Sequence, residues 1–60
     1  MSINILVVDD EKELADIIEL YLTNDGYIVH KFYTGAEALV CIEHTHLDLA
    51  ILDVMLPDAD

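Results

Sequence analysis

The sequence is poor in several residue types, and each shortage excludes a class of protein. Its single cysteine, Cys41, cannot form an internal disulfide, so the chain is not a disulfide-stapled secreted scaffold. It has only 2 basic residues against 13 acidic ones, and the resulting net charge of −11 repels nucleic acid. Glycine and proline are scarce, and no repeat, linker or low-complexity tract is found. The 55% of hydrophobic residues exclude a disordered chain.

The N-terminus lacks the features of a targeting or membrane segment. Its apolar run, residues 3–8, is far too short to span a bilayer, and neither a basic stretch nor a small-residue cleavage site accompanies it. Together with the lone cysteine, this predicts a cytoplasmic protein. With 60 residues, we expect one domain at most, or part of one.

Three short segments have the composition of strands. Residues 5–8 and 49–52 are unbroken apolar runs that each end at an aspartate, which is typical of strands buried on both faces of a parallel sheet. Residues 27–33 mix aromatic and β-branched residues with polar ones, a composition that favours the edge of a sheet.

Two segments between these strands predict helices. The first has apolar residues at helical spacing, acidic residues expected in its first turn, and Gly26 placed to cap its end. The apolar residues are Leu14, Ile17, Ile18, Tyr21 and Leu22, and the acidic ones are Asp10, Glu11 and Glu13. The second helix begins at a capping box of Thr34 and Glu37 and ends near His44. Its predicted apolar stripe is Ala38, Leu39 and Ile42.

The order strand, helix, strand, helix, strand predicts an α/β fold with a doubly wound parallel sheet. Right-handed crossovers and helices on both faces give the strand order 2-1-3. Ligands of such sheets bind beyond the carboxyl ends of the strands, where the direction of winding reverses. That point lies between the first and third strands.

Three aspartates are expected to meet there. Asp9 and Asp10 end the first strand and Asp53 ends the third. Such like charges require neutralisation, and oxygen ligands suit Mg²⁺. A carboxylate beside that ion can attack a phosphoryl group, so the trio predicts a Mg²⁺-dependent phosphoacceptor site with Asp53 as the acceptor.

Simpler interpretations exist for each residue taken alone. Asp9 and Asp10 could cap the first helix, and Asp53 could be a turn residue. Convergence of the three favours the functional interpretation. The histidines, His30, His44 and His46, lack the spacing of a metal site, and Cys41 is expected to pack as a small core residue.

Three sequence blocks resemble the receiver domain of bacterial two-component response regulators. They are VVDDE at 7–11, TGAEAL at 34–39 and DLAILDVMLP at 48–57, and the resemblance covers all 60 residues. The likeness is greatest to the branch with a winged-helix transcription-factor domain, of the vancomycin-resistance type. It implies a flavodoxin-like five-stranded sheet, of which residues 1–60 would form the N-terminal half, β-α-β-α-β.

The resemblance also implies a role for each site residue. Asp53 would accept a phosphoryl group from a sensor histidine kinase, and the chain would not be a turnover enzyme. Asp10 would bind Mg²⁺ directly and Asp9 largely through water. Asp53 would also be a ligand of the ion, and Met55 would bind it through its backbone carbonyl. Pro57 would shape the following loop. Transcription control would need a DNA-binding domain outside this segment.

A complete receiver would continue beyond Asp60 with two strands and three helices, including a Ser or Thr and a Lys that hold the phosphoryl group. Without them we expect phosphotransfer to be slow or undetectable. We also expect an exposed third strand that favours a homodimer or an edge-paired or swapped oligomer. Two other functions stay open. One is a passive cation-binding or dimerising module. The other is an aspartate-nucleophile phosphatase of the haloacid dehalogenase type, which needs an acid where Met55 stands.

Overall fold

The computed structural model describes residues 2–52, which form three strands and two helices in alternation. The elements are β1 (Asn4–Val8), α1 (Lys12–Asn24), β2 (Ile28–Phe32), α2 (Gly35–His44) and β3 (Leu49–Leu52). All strand pairs are parallel and their order is β2-β1-β3. The predicted α/β class and strand order are confirmed.

The central strand β1 is the core of the fold. Ile5, Leu6 and Val7 are at most 2% exposed, although successive side chains of a strand point to opposite faces. Both faces of β1 are therefore covered, and each of the two helices contacts β1 and β2. Burial of each such side chain contributes about 1.5–3 kcal/mol.

The helix ends follow the predicted chemistry with two corrections. Gly26 has a φ of 93°, and the N–H groups of Gly26 and Tyr27 close a Schellman motif on Thr23 and Leu22. Thr34 caps α2 as predicted by accepting from the Glu37 N–H. Glu37, however, accepts from the Thr34 hydroxyl at 3.1 Å and not from its backbone N–H.

The second correction concerns the start of α1. Only Glu13 lies in the first turn, because the helix begins at Lys12 and Glu11 is its N-cap residue. The carboxylates of Asp10 and Glu11 precede the helix, contrary to the prediction. Asp10 and Glu11 belong to the turn that Asp9 forms after β1, so the helix begins only at Lys12.

The predicted apolar stripes of both helices were wrong in part. In α1 the buried residue is Ala15, whereas Leu14, Ile17 and Tyr21 are exposed. In α2 it is Ala38, whereas Leu39 and Ile42 are exposed. Alanine allows the helix backbone to approach the sheet closely. The larger apolar residues then lie on flanks that no other part of residues 2–52 covers.

The apolar composition of β3 predicted a strand buried on both faces, and this prediction was wrong for residues 2–52. In this part of the chain β3 is an edge strand, as expected for a third strand without a further neighbour. Leu49 and Leu52 are 55% and 54% exposed. Within residues 2–52, β3 contacts β1 and neither helix. Both helices lie over β1 and β2, so each face of β3 is left uncovered in this part of the chain.

Candidate functional site

The three strands end level with one another at their carboxyl ends. Val8 of β1 is opposite Phe32 of β2 on one side and Leu52 of β3 on the other. Asp9 follows Val8 directly, and Asp53 is the next residue after Leu52 in the sequence. Asp53, Met55 and Pro57 themselves lie outside the described residues. The alignment of β1 and β3 is the feature that the predicted site requires.

Asp9 is a buried carboxylate held in one orientation. Its residue is only 5% exposed. Its backbone N–H donates to the Phe32 carbonyl at 3.2 Å, which extends the β1–β2 ladder by one bond. Its Oδ1 accepts from the Glu11 N–H at 2.9 Å, as in an Asx turn. These two bonds fix the chain as it leaves β1 for α1.

Asp10 differs from Asp9 in its exposure and in its hydrogen bonding. It is exposed, and its side chain makes no hydrogen bond to any group of residues 2–52. The helix-capping interpretation therefore fails for Asp10 within this range. For Asp9 it holds in part, because Asp9 binds the N–H of the N-cap residue Glu11.

The donor set of the site suits a hard cation. Asp9 and Asp10 supply carboxylate oxygens in the turn between β1 and α1, and such oxygens are the ligands of Mg²⁺. Residues 2–52 alone contain no group of three His, Cys, Asp or Glu side chains that could hold a metal ion. A complete metal site at this edge therefore depends on the ligands predicted beyond Leu52.

A cluster of charged and aromatic side chains, absent from the sequence-based predictions, borders the same edge beside β2. The Lys31 Nζ pairs with Asp16 at 2.6 Å and Glu19 at 2.8 Å, and the Tyr33 hydroxyl donates to Asp16 at 3.2 Å. The Lys12 Nζ lies 5.3 Å from the centre of the Tyr33 ring. We call these five residues the lysine cluster. It ties α1 to β2.

Ionisation in the lysine cluster is altered by its hydrogen bonds. The Lys31 ammonium holds the pKa of the Asp16 carboxyl below its ordinary value. In turn Asp16, followed by Glu19, raises the pKa of Lys31. One feature of the sequence could have indicated this cluster. Lys12 and Lys31 are the only lysine or arginine residues among 13 acidic ones, and both belong to the cluster.

Comparison with known proteins identifies the family. The model of the response regulator receiver domain matches residues 5–60. The chain belongs to this family. The resemblance stated from the three sequence blocks is therefore confirmed, together with the two-component and phosphorelay context of such receivers.

Two curated relatives are similar over nearly the whole chain. Regulatory protein VanR of Enterococcus faecium is 61% identical over 57 residues, which are 95% of this chain and 25% of that protein. Regulatory protein VanRc of Enterococcus gallinarum is 55% identical over 60 residues, which are 100% of this chain and 26% of that protein. The receiver chain thus spans about a quarter of the length of these relatives. No solved structure matches it.

The remaining candidates lie elsewhere in the receiver. His30 pairs with Asn4 at 3.1 Å, His44 with the Val40 carbonyl at 2.9 Å, and His46 with Asp48 at 3.2 Å. Cys41 is half-buried. Among residues 2–52, neither helix has the length and apolar content needed to cross a membrane.

Proposed function

We propose that Asp53 is the phosphoacceptor of this receiver. The observation that supports it is the pairing of Val8 with Leu52. Because these residues are opposite each other on adjacent parallel strands, the chain continues into Asp9 and Asp53 from the same edge of the sheet. Membership of the receiver family supports the same role.

In the proposed reaction an Asp53 oxygen attacks the phosphorus of a phosphohistidine on a sensor histidine kinase. The bond from phosphorus to the ring nitrogen breaks as the bond to the Asp53 oxygen forms, and the histidine ring leaves with the electron pair. Asp9, Asp10, Asp53 and the Met55 carbonyl would hold Mg²⁺. When bound, this ion neutralises charge on the transferred group.

The biological setting is part of the same proposal. Because this chain matches a quarter of each curated relative, control of transcription is assigned to parts of a longer regulator and not to residues 1–60. The receiver would act in the cytoplasm as a stoichiometric acceptor and not as a turnover enzyme. The exposed edge of β3 supports association with a second copy.

The proposal is tested by offering the chain a small phosphodonor. Acetyl phosphate with Mg²⁺ should add one phosphoryl group to the wild-type mass and none to Asp53→Asn. Asp25→Asn is the matched control, because it removes an exposed carboxylate at the other end of α1. When beryllofluoride is added to a Mg²⁺-saturated sample, NMR signals of Asp9 and Asp10 should shift further in the wild type and not in Asp53→Asn.

The two other functions give different results. A passive cation-binding module would bind Mg²⁺ in a folded sample and gain no phosphoryl group. A phosphatase would release phosphate from the donor catalytically, over many turnovers. Equal labelling of wild type and Asp53→Asn would refute the assignment of Asp53.

A further inference from the structure

The amino edge of the sheet, opposite Asp9, carries a polar network that joins all three strands. The Asn4 N–H donates to Asp48 Oδ2 at 2.8 Å, and the Asp48 N–H donates to the Asn4 carbonyl at 2.8 Å. Asp48 Oδ1 pairs with His46 at 3.2 Å, and Asn4 Oδ1 pairs with His30 of β2 at 3.1 Å. Asp48 and Asn4 thus bind each other through two reciprocal bonds.

These two bonds matter because β3 has little else to hold it. The strand is four residues long and within residues 2–52 contacts β1 alone. Asp48 precedes the first ladder pair, Ile5 with Leu49, and its carboxylate takes the place of a strand carbonyl. Such a charge-assisted bond is stronger than one between neutral groups. The Asn4 N–H holds the pKa of Asp48 below its ordinary value, which agrees with a bond to the ionised form.

The bond between Asp48 and Asn4 also specifies the register of β3. A slip by one residue would move the strand by about 3.3 Å and turn every side chain to the opposite face. Asp48 would then lose both bonds to Asn4. The observed register is the one that places Leu52 opposite Val8, so that β3 ends level with β1, one residue before Asp53 in the sequence.

We propose that Asp48 is a positioning residue for the phosphoacceptor. By binding Asn4 at one end of the β1–β3 ladder, it fixes where β3 delivers Asp53 at the other end. This inference rests on the proposed function of Asp53. Asp48 itself touches none of the reacting groups, because it lies at the opposite edge of the sheet.

A double-mutant cycle on Mg²⁺ affinity tests this role. Asp48→Ala should weaken Mg²⁺ binding about 10-fold, the low end of the loss found when a group that orients a metal ligand is removed. In an Asp53→Asn background the same change should have almost no further effect, because the residue that it positions has lost its charge. Independent, additive effects of the two substitutions would overturn the proposal.

Two variants separate positioning from stability. Asp48→Asn keeps an oxygen that can accept the Asn4 N–H, so it should restore most of the affinity. A loss equal to that of alanine would overturn the hydrogen-bond role. Gly26→Ala strains the turn between α1 and β2, at the opposite edge of the sheet from Asp9, and should lower stability while leaving the Mg²⁺ affinity of the folded chain unchanged. An equal loss of affinity there would also overturn the proposal.

Amide hydrogen exchange supplies a readout that needs neither metal nor phosphoryl group. Asp48→Ala should accelerate exchange in β3 by at least 10-fold relative to β2, and unchanged exchange in β3 would overturn the anchoring role. A wild-type chain that neither binds Mg²⁺ nor accepts a phosphoryl group would refute the proposed function. The anchoring of β3 by Asp48 would then be decided by the exchange rates alone.

Discussion

The two outer strands of this receiver are held to β1 in different ways. β2 is contacted by both helices, and the lysine cluster binds it to α1. β3 contacts only β1 within residues 2–52, and its polar anchor is Asp48 at its start. One side of the sheet is therefore fixed by tertiary packing and the other by its ladder. The proposed phosphoacceptor follows the less supported strand.

The largest loss of stability is expected from a substitution in β1, the strand that pairs with both β2 and β3. Leu6→Ala should lower the free energy of unfolding by about 2–5 kcal/mol, because Leu6 is fully buried in β1. Urea denaturation followed by circular dichroism measures the loss. Leu49→Ala is the control on β3, where an exposed side chain should change stability by about 0.5 kcal/mol or less. Equal losses would show that β3 is packed as well as β1.

The next largest effect concerns the chain that enters β2. Gly26→Ala should cost about 1–2 kcal/mol, because Gly26 has a φ of 93° that other residues rarely adopt. A Cβ at Gly26 would meet no atom within 4 Å, so the cost is purely conformational. Gly35→Ala, in α2 with ordinary φ and the same open space, should be neutral or stabilising in thermal melts. A destabilising Gly35→Ala would contradict this explanation.

The chain that leaves β2 should show a smaller effect. Thr34→Ala should cost about 1 kcal/mol, because the α2 N-cap would lose the bond from the Glu37 N–H. Thr34→Ser retains the hydroxyl and should keep most of the stability in the same denaturation experiment. If Ser and Ala behave alike, the methyl group of Thr34 and not its hydroxyl stabilises the cap.

The smallest effects are expected from pH, and they should distinguish the two sides. The pKa values of Asp48 and Asp16 are below the ordinary 3.8, so their stabilisation is full above that value and lost as pH falls through the lowered pKa. The pKa of Lys31 is raised above 10.5, so its contribution is present below that pH and lost as pH rises through the raised value. Acid should loosen both sides and alkali only β2.

Thermal melts across a range of pH, together with amide hydrogen exchange of individual residues, measure how β2 and β3 respond to acid and alkali. Asp48→Asn should remove part of the acid dependence and none of the alkaline dependence. Lys31→Gln should remove part of the alkaline dependence and leave the acid dependence of β3 in place. Alkaline loosening of β3 equal to that of β2 would contradict the assignment of the two anchors.

Local chemistry made much of this fold predictable. The apolar run of β1, the left-handed Gly26 and the Thr34 cap each act through near neighbours in the chain, and all three were identified from sequence. The strand order followed from general rules of handedness and coverage. Asp9 and Asp10 were placed at the end of β1 because they directly follow its apolar run in the sequence.

Burial and long-range pairing were not predictable in this way. Leu14 and Leu39 look like core residues in a helical pattern, but their exposure depends on which flank of each helix meets the sheet. The bond between Asn4 and Asp48 joins residues 44 positions apart. The contacts of Lys31 with Asp16 depend on the crossover of α1 above β2. Each of these requires the assembled tertiary structure.

The bond from the Asp9 N–H to the Phe32 carbonyl has a consequence for the entropy of cation capture. Ordering one residue costs about 1–2 kcal/mol, and for Asp9 this cost is met when the sheet forms. Asp10, one residue later, has no comparable bond within residues 2–52. Of these two aspartates, an arriving cation would therefore find Asp9 already ordered and would need to restrict only Asp10. Cation binding would therefore cost less conformational entropy at Asp9 than at Asp10.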